Sequence, residues 1–201
     1  MPKYEAGIPF QAGVINKDKA ILLLKEVGES LEQAGIYTTM DVYGGIAMAL
    51  TITPLYSSDD IDTRMSGANH TKFRAITEAI GRKHGLRPDW INEDIVPIIN
   101  SCLKTENLTN FEKFSGLTIR LPSAEQLLAM KVFAARLNEG RHDLEHAVAL
   151  CKALNISGRM QIEDILKRFV VEDQIKRKNR EKGRHNCIHN FITALIEELK
   201  K

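Results

Sequence analysis

Gly44-Gly45, followed by Ser57-Ser58-Asp59-Asp60-Ile61-Asp62, is the stretch whose residue types and spacing best suit chemistry. Side chains alternate along a β-strand, so Asp60 and Asp62 project to one face while Ile61 turns into a core. Two like charges held that close repel, and such a pair is normally stabilised by a cation. A glycine turn entering a helix presents backbone N–H groups and a positive dipole end to a phosphate. A metal beside a phosphate cradle points to nucleotidyl or phosphoryl transfer. One or two Mg²⁺ on Asp60 and Asp62 would bridge nucleotide phosphates, with Ser58 donating to a phosphate oxygen. The alternative is an Asp-rich turn in which the same residues act as caps and loop formers.

A second pair lies in the later, helical part. On a helical wheel Lys131 falls in the apolar arc of the helix that Ser123 opens, and Asp143 falls in the arc of the next. Charges at such positions need a buried partner or an opening in the core. They are expected either to pair with each other as a structural hairpin lock or to line a cleft. In the cleft, Lys131 would reach a triphosphate and Asp143 would assist the metal or the acceptor hydroxyl. Asp143 also suits the first turn of a helix simply by its charge. His142 and His146 stand at metal-ligand spacing, but His142 falls toward the exposed side of the wheel, which argues against a shared zinc site.

Positioning these groups requires a strand–turn–helix–strand unit. Residues 37–43 lean to β, a short helix follows over 46–50, and residues 60–65 form the second strand. Before it, Asn16 caps a helix running to about residue 34. After it come a helix over 71–84, an irregular segment over 85–116 holding Trp90, and a short strand over 117–121. Ser123-x-x-Gln126 reads as a capping box. Helices then cover about 124–139, 142–154, 160–169 and 186–199. The expected class is α+β: a small mixed β-sheet core flanked by helices (residues 1–121), then a C-terminal helical region (residues 122–201) packing on it.

Composition narrows the setting. No apolar run of 201 residues approaches a membrane span, and the opening residues do not read as a secretion signal. Cys102, Cys151 and Cys187 are widely spaced, which fits a reducing cytoplasm rather than a disulfide framework. The net charge of +2 is uneven: residues 174–201 carry eight Lys/Arg against three Glu, or +5, leaving −3 for the rest. Lys176, Arg177, Lys178, Arg180, Lys182 and Arg184 would suit an RNA backbone, or simply form a solvated linker. No aromatic residue is interleaved for base stacking.

Together these residues resemble the minimal nucleotidyltransferases of the DNA polymerase β-like superfamily, and within it the abortive-infection toxins of type IV toxin–antitoxin systems. The resemblance rests on Gly44-Gly45, Ser58, Asp60-Ile61-Asp62, Leu127-Leu128-Ala129-Met130-Lys131, Ala134-Ala135-Arg136 and Arg141-His142-Asp143, and covers about residues 36–156. It implies Asp60 and Asp62 as metal ligands, Lys131 and Asp143 as a second catalytic pair, and Gly44, Gly45, Ser58, Arg136 and Arg141 around the nucleotide. Characterised toxins of the family transfer nucleotides to tRNA or otherwise consume NTPs. The implied activity is therefore Mg²⁺-dependent transfer from an NTP to an RNA or protein acceptor, with an antitoxin as a further partner. The chain departs from the pattern at Tyr56, where the family often has Arg, and at His146, where it often has Asp. Leu117–Leu121 offers Thr118 and Arg120 instead of a third metal-binding acid. A degenerate nucleotide- or RNA-binding protein of the same fold is the alternative.

Overall fold

The computed structural model describes residues 13–66, 69–104, 106–134, 137, 142–180 and 187–201. Its centre is a five-stranded mixed sheet, in spatial order β5 (Ile91–Asn92), β4 (Ile61–Ser66), β2 (Thr38–Val42), β7 (Leu117–Pro122) and β6 (Leu108–Phe114). Strand β2 runs antiparallel to β4 and parallel to β7. Strand β5 lies parallel to β4, and β6 closes the other edge antiparallel to β7. A two-stranded ribbon joins β1 (Ile15–Asn16) to β3 (Ser57–Ser58).

Helix α1 (Lys17–Gln33) begins where the Asn16 carboxamide accepts from the Lys19 amide at 2.9 Å. It buries Leu23, Leu24, Val27 and Leu31 against Met40, Leu117 and Ile119 of the sheet in one core. Helix α2 (Gly44–Thr51) starts at the glycines themselves, ends before Pro54, and buries Ile46 through Leu50. Helix α3 (His70–Lys83) approaches Trp90 at Gly81, where a methyl group would stand 2.7 Å from the indole Cδ1. Trp90 is fully buried and its indole N–H donates to the Thr77 carbonyl at 2.8 Å.

The segment expected to be irregular, 85–116, instead contains β5, helix α4 (Val96–Cys102) and β6. Two of these elements are too short to show periodicity. Strand β6 is an edge strand whose middle residues are exposed on both faces, so its side chains do not alternate between apolar and polar. The α4 end is tied to the helical half through Lys104 N–H to Phe169 O and Val171 N–H to Cys102 O, both 2.8 Å.

Helices α5 (Ala124–Ala134), α6 (His142–Ala153), α7 (Arg159–Phe169) and α9 (Ile188–Leu199) form the expected helical part. Only half of the expected capping box forms. Ser123 Oγ accepts from the Gln126 amide at 3.2 Å, but the Gln126 side chain turns away to accept from Asn107 N–H at 2.7 Å. The described part of the basic run read as a possible linker, Lys176 to Arg180, lies in helix α8 (Glu172–Arg180), which has no buried residue. Acids open it, bases close it, and Lys176 pairs with Glu172 at 2.8 Å, so dipole and i, i+4 pairing support it without a core face. None of the described helices is long and apolar enough to cross a membrane.

Candidate active site

Asp62 lies in β4 and Asp60 just ahead of it, with Ile61 fully buried between them. The expected alternation holds, although the strand begins one residue later than its predicted start. Asp60 accepts from Ser58 Oγ at 3.0 Å and from the Asn92 carboxamide at 3.4 Å, and Arg87 stands 4.0 Å away. Ser58 is thus turned toward Asp60. Gly44 opens α2 with φ +65°, a left-handed backbone, and a Cβ there would overlap Asp62 Oδ2. At Gly45 a Cβ would come within 3.2 Å of the Ser58 Cβ. Tyr43 N–H donates to the Asp62 carbonyl at 2.8 Å, which pins the start of α2 to β4. The glycine turn is therefore packed against Asp62 and Ser58.

Lys131 and Asp143 point inward, and they meet: Lys131 Nζ donates to Asp143 Oδ1 at 2.7 Å, with side chains 14% and 7% exposed. His142 is on the outside as the wheel implied, 86% exposed and 3.8 Å from Glu145. His146 is buried at the opposite extreme, its ring edge-on to Tyr56 with centroids 4.2 Å apart. Arg136 and Arg141, expected near the nucleotide, fall outside the described residues, as do Lys182 and Arg184 of the basic run.

Both pairs line a single cleft of about 890 Å³. Its lining includes the glycine turn with Ser57 through Asp60 and Asp62, and also Lys131, Asp143 and His146. Ile98, Met130 and Phe133 add apolar surface, and Lys178 of α8 also borders the cleft. The structural-lock and cleft-lining readings of Lys131 and Asp143 are thus both realised.

Two residues near the Asp pair were not anticipated. Asp94 lines the cleft, and Asn92 donates to Asp60 because β5 pairs Asn92 beside Asp62. Their only local signal is the short Ile-Asn-Glu-Asp run after Trp90, which has no periodicity to read.

The buried acid of the central strand is committed elsewhere. Asp41, 2% exposed, lies beside Arg64 and Arg120 on the neighbouring strands. It accepts from Arg64 Nη2 at 2.7 Å and from Arg120 Nε at 2.6 Å. Arg64 also forks onto Glu106, whose other contact is the buried Tyr43 hydroxyl at 3.4 Å. The hydrogen bonds that Arg64 donates to Glu106, ahead of those to Asp41, hold its guanidinium charged, and burial with the Glu106 charge pushes the Tyr43 phenol well up.

Oxygen donors of this kind suit Mg²⁺, a hard cation often bound by one or two carboxylates together with substrate phosphates. Among the described residues no group of three or more His, Cys, Asp or Glu is arranged to hold a metal by itself. Asp60 and Asp62 are oxygen donors of the kind that suits such a cation.

No protein-family model matches the chain, and no curated protein matches it. Among solved structures it is similar to the crystal structure of an antigenic nucleotidyltransferase-like protein from Paracoccidioides brasiliensis. That similarity has 12% identity over 92% of this chain and 90% of the other, at a TM-score of 0.46. A likeness at this level assigns no chemistry to individual residues.

Proposed function

We propose that this protein is a Mg²⁺-dependent nucleotidyltransferase that moves a nucleotide from an NTP to an RNA, such as tRNA, or to a protein acceptor. The observation that carries the reading is the meeting of Gly44-Gly45, Asp60 and Asp62 with Lys131 and Asp143 in one cleft. The amides at the start of α2 would receive the phosphates. Lys131 would neutralise phosphate charge, and Asp60 and Asp62 would hold the cation. When bound, Mg²⁺ would offset the charge that develops on the phosphates. The chain's own part is then positioning and electrostatics. Lys178 at the cleft border, with Lys176, Arg177 and Arg180 on α8, suits a polyanionic acceptor. A place in a toxin–antitoxin pair, with an antitoxin as partner, belongs to this reading through the family resemblance alone.

The test is transfer of labelled nucleotide from each of the four NTPs, with Mg²⁺, to a tRNA pool and to protein. Asp60→Asn and Asp62→Asn should abolish it. A second reading, nucleotide binding without turnover, is favoured by one observation: the neighbours of Asp62 across the strands are Tyr43 and Asn92, not an acid. It predicts Mg²⁺-dependent stabilisation by NTPs with no transfer.

A further inference from the structure

His146 is the polar group of the cleft that the proposed function leaves without a role. It lies one turn after Asp143 on α6 and is 5% exposed. It borders the cleft, and its Nδ1 is sealed from solvent with no hydrogen-bond partner. Burial pushes its pKa down to about 4; Lys131 and His142 push the same way and Asp143 opposes them. The imidazole is therefore neutral near pH 7, with one nitrogen protonated and the other carrying a lone pair. The charged and titratable groups facing it are Lys131 from α5, Asp143 and His142 from α6, and Tyr56 ahead of β3. Lys178 and Asp94 border the same cleft.

We propose, resting on the nucleotide-transfer reading, that His146 takes the proton of the acceptor hydroxyl, oriented by Asp143 once substrate phosphates draw Lys131 off that carboxylate. Residues three apart on a helix are neighbours, so Asp143 and His146 lie on one face of α6. A polyphosphate competes for the Lys131 ammonium with more negative charge than one carboxylate brings. Asp143 then accepts from Nδ1–H, which satisfies the unpartnered nitrogen and fixes the lone pair on Nε2. In the transfer step the hydroxyl proton passes to Nε2 and the hydroxyl oxygen bonds to the α-phosphorus. The bond from that phosphorus to the bridging oxygen breaks, and pyrophosphate leaves with the electron pair. Asp143 stabilises the imidazolium, which returns its proton to water.

The test is ¹⁵N NMR of the histidine rings in the full chain, with His146 assigned by His146→Gln. Spectra are recorded over pH, alone and with Mg²⁺ and α,β-methylene NTPs of all four bases, and binding is measured in parallel by calorimetry. On saturation, Nδ1 should become the protonated nitrogen and the midpoint should rise from about 4 toward the ordinary 6.5. Lys131→Met should produce the same change with no nucleotide present. Binding that leaves the tautomer and midpoint of His146 unmoved overturns the inference. So does a Lys131→Met spectrum like that of the wild type. Failure of every NTP analogue to bind overturns the nucleotide reading instead, and the Lys131→Met arm still decides the exchange of partners. In turnover, His146→Gln should lower kcat on the order of 100-fold with KM for the NTP unchanged. A kcat close to wild type overturns the catalytic role.

Discussion

Gly44 and Asp62 occupy the same space, in the sense that a single methyl group on the glycine would overlap the aspartate's Oδ2. The left-handed backbone at Gly44 adds a second reason for the residue. Gly44→Ala should therefore cost about 1–3 kcal/mol of stability through strain and displace the carboxylate. Gly45→Ala makes a tight contact of 3.2 Å with Ser58 Cβ but no overlap, and should cost less. Chemical denaturation compares the two, and NTP-induced thermal shifts report the cleft. Equal behaviour of both variants would contradict this account.

Asp60→Asn and Asp62→Asn retain shape and remove charge. Each should lower transfer by more than about 100-fold, the scale of removing one preorganised electrostatic group. Stability should remain within about 0.5 kcal/mol, as for partly exposed sites generally. A variant that unfolds instead would make the pair structural.

Lys131→Met leaves the buried Asp143 carboxylate without this ammonium. The expected loss is about 3 kcal/mol, typical of removing one partner of a buried ion pair. Adding Asp143→Leu should recover most of it, while nucleotide binding stays impaired. Urea unfolding of the two single variants and the double variant measures the coupling.

His146 predicts a pH dependence with a definite sign. Its folded pKa of about 4 lies below the ordinary 6.5, so between those values the unfolded chain binds the extra proton. The stability contribution is fully present above 6.5 and is lost as pH falls toward 4, by about 3 kcal/mol in total. His146→Phe lacks this term. Its stability relative to wild type should rise by that amount between pH 7 and pH 4, measured by denaturant unfolding at each pH. A constant difference would exclude it.

Lys176→Ala and Lys178→Ala together should weaken binding of a tRNA pool and flatten its salt dependence. The slope of log affinity on log salt should drop by roughly 0.7 for each phosphate contact removed. Unchanged affinity and slope would leave α8 a solvated helix.

The half of the site that was legible in the sequence is local. Gly44, Asp60 and Asp62 sit in one strand–helix–strand unit, where period-two alternation and glycine chemistry act over short distances. Lys131 and Asp143 were legible as anomalies, since charge on an apolar helical face demands a partner. Asn92 and Asp94 were not, because the two-residue strand β5, which sets Asn92 beside Asp62 and Asp94 just beyond it, is too short to leave a pattern. The depth of His146 was equally hidden. Its contact with Tyr56 joins residues far apart in the chain, and the wheel of α6 alone cannot supply it. Arg120, read as the residue standing where an acid was missing, turns out to clasp an acid of the neighbouring strand.

That clasp also governs how the strands find their alignment. Asp41 is level with Arg64 on one side and Arg120 on the other. Sliding β2 by one residue would put Met40 or Val42 between two guanidiniums and drive the carboxylate into the apolar layer beneath. A slip by one position is thus penalised on both faces at once, by unpaired charge above and a misplaced acid below. The central strand is keyed electrostatically, and the Asp-x-Asp strand beside it inherits its alignment with the glycine turn from that key.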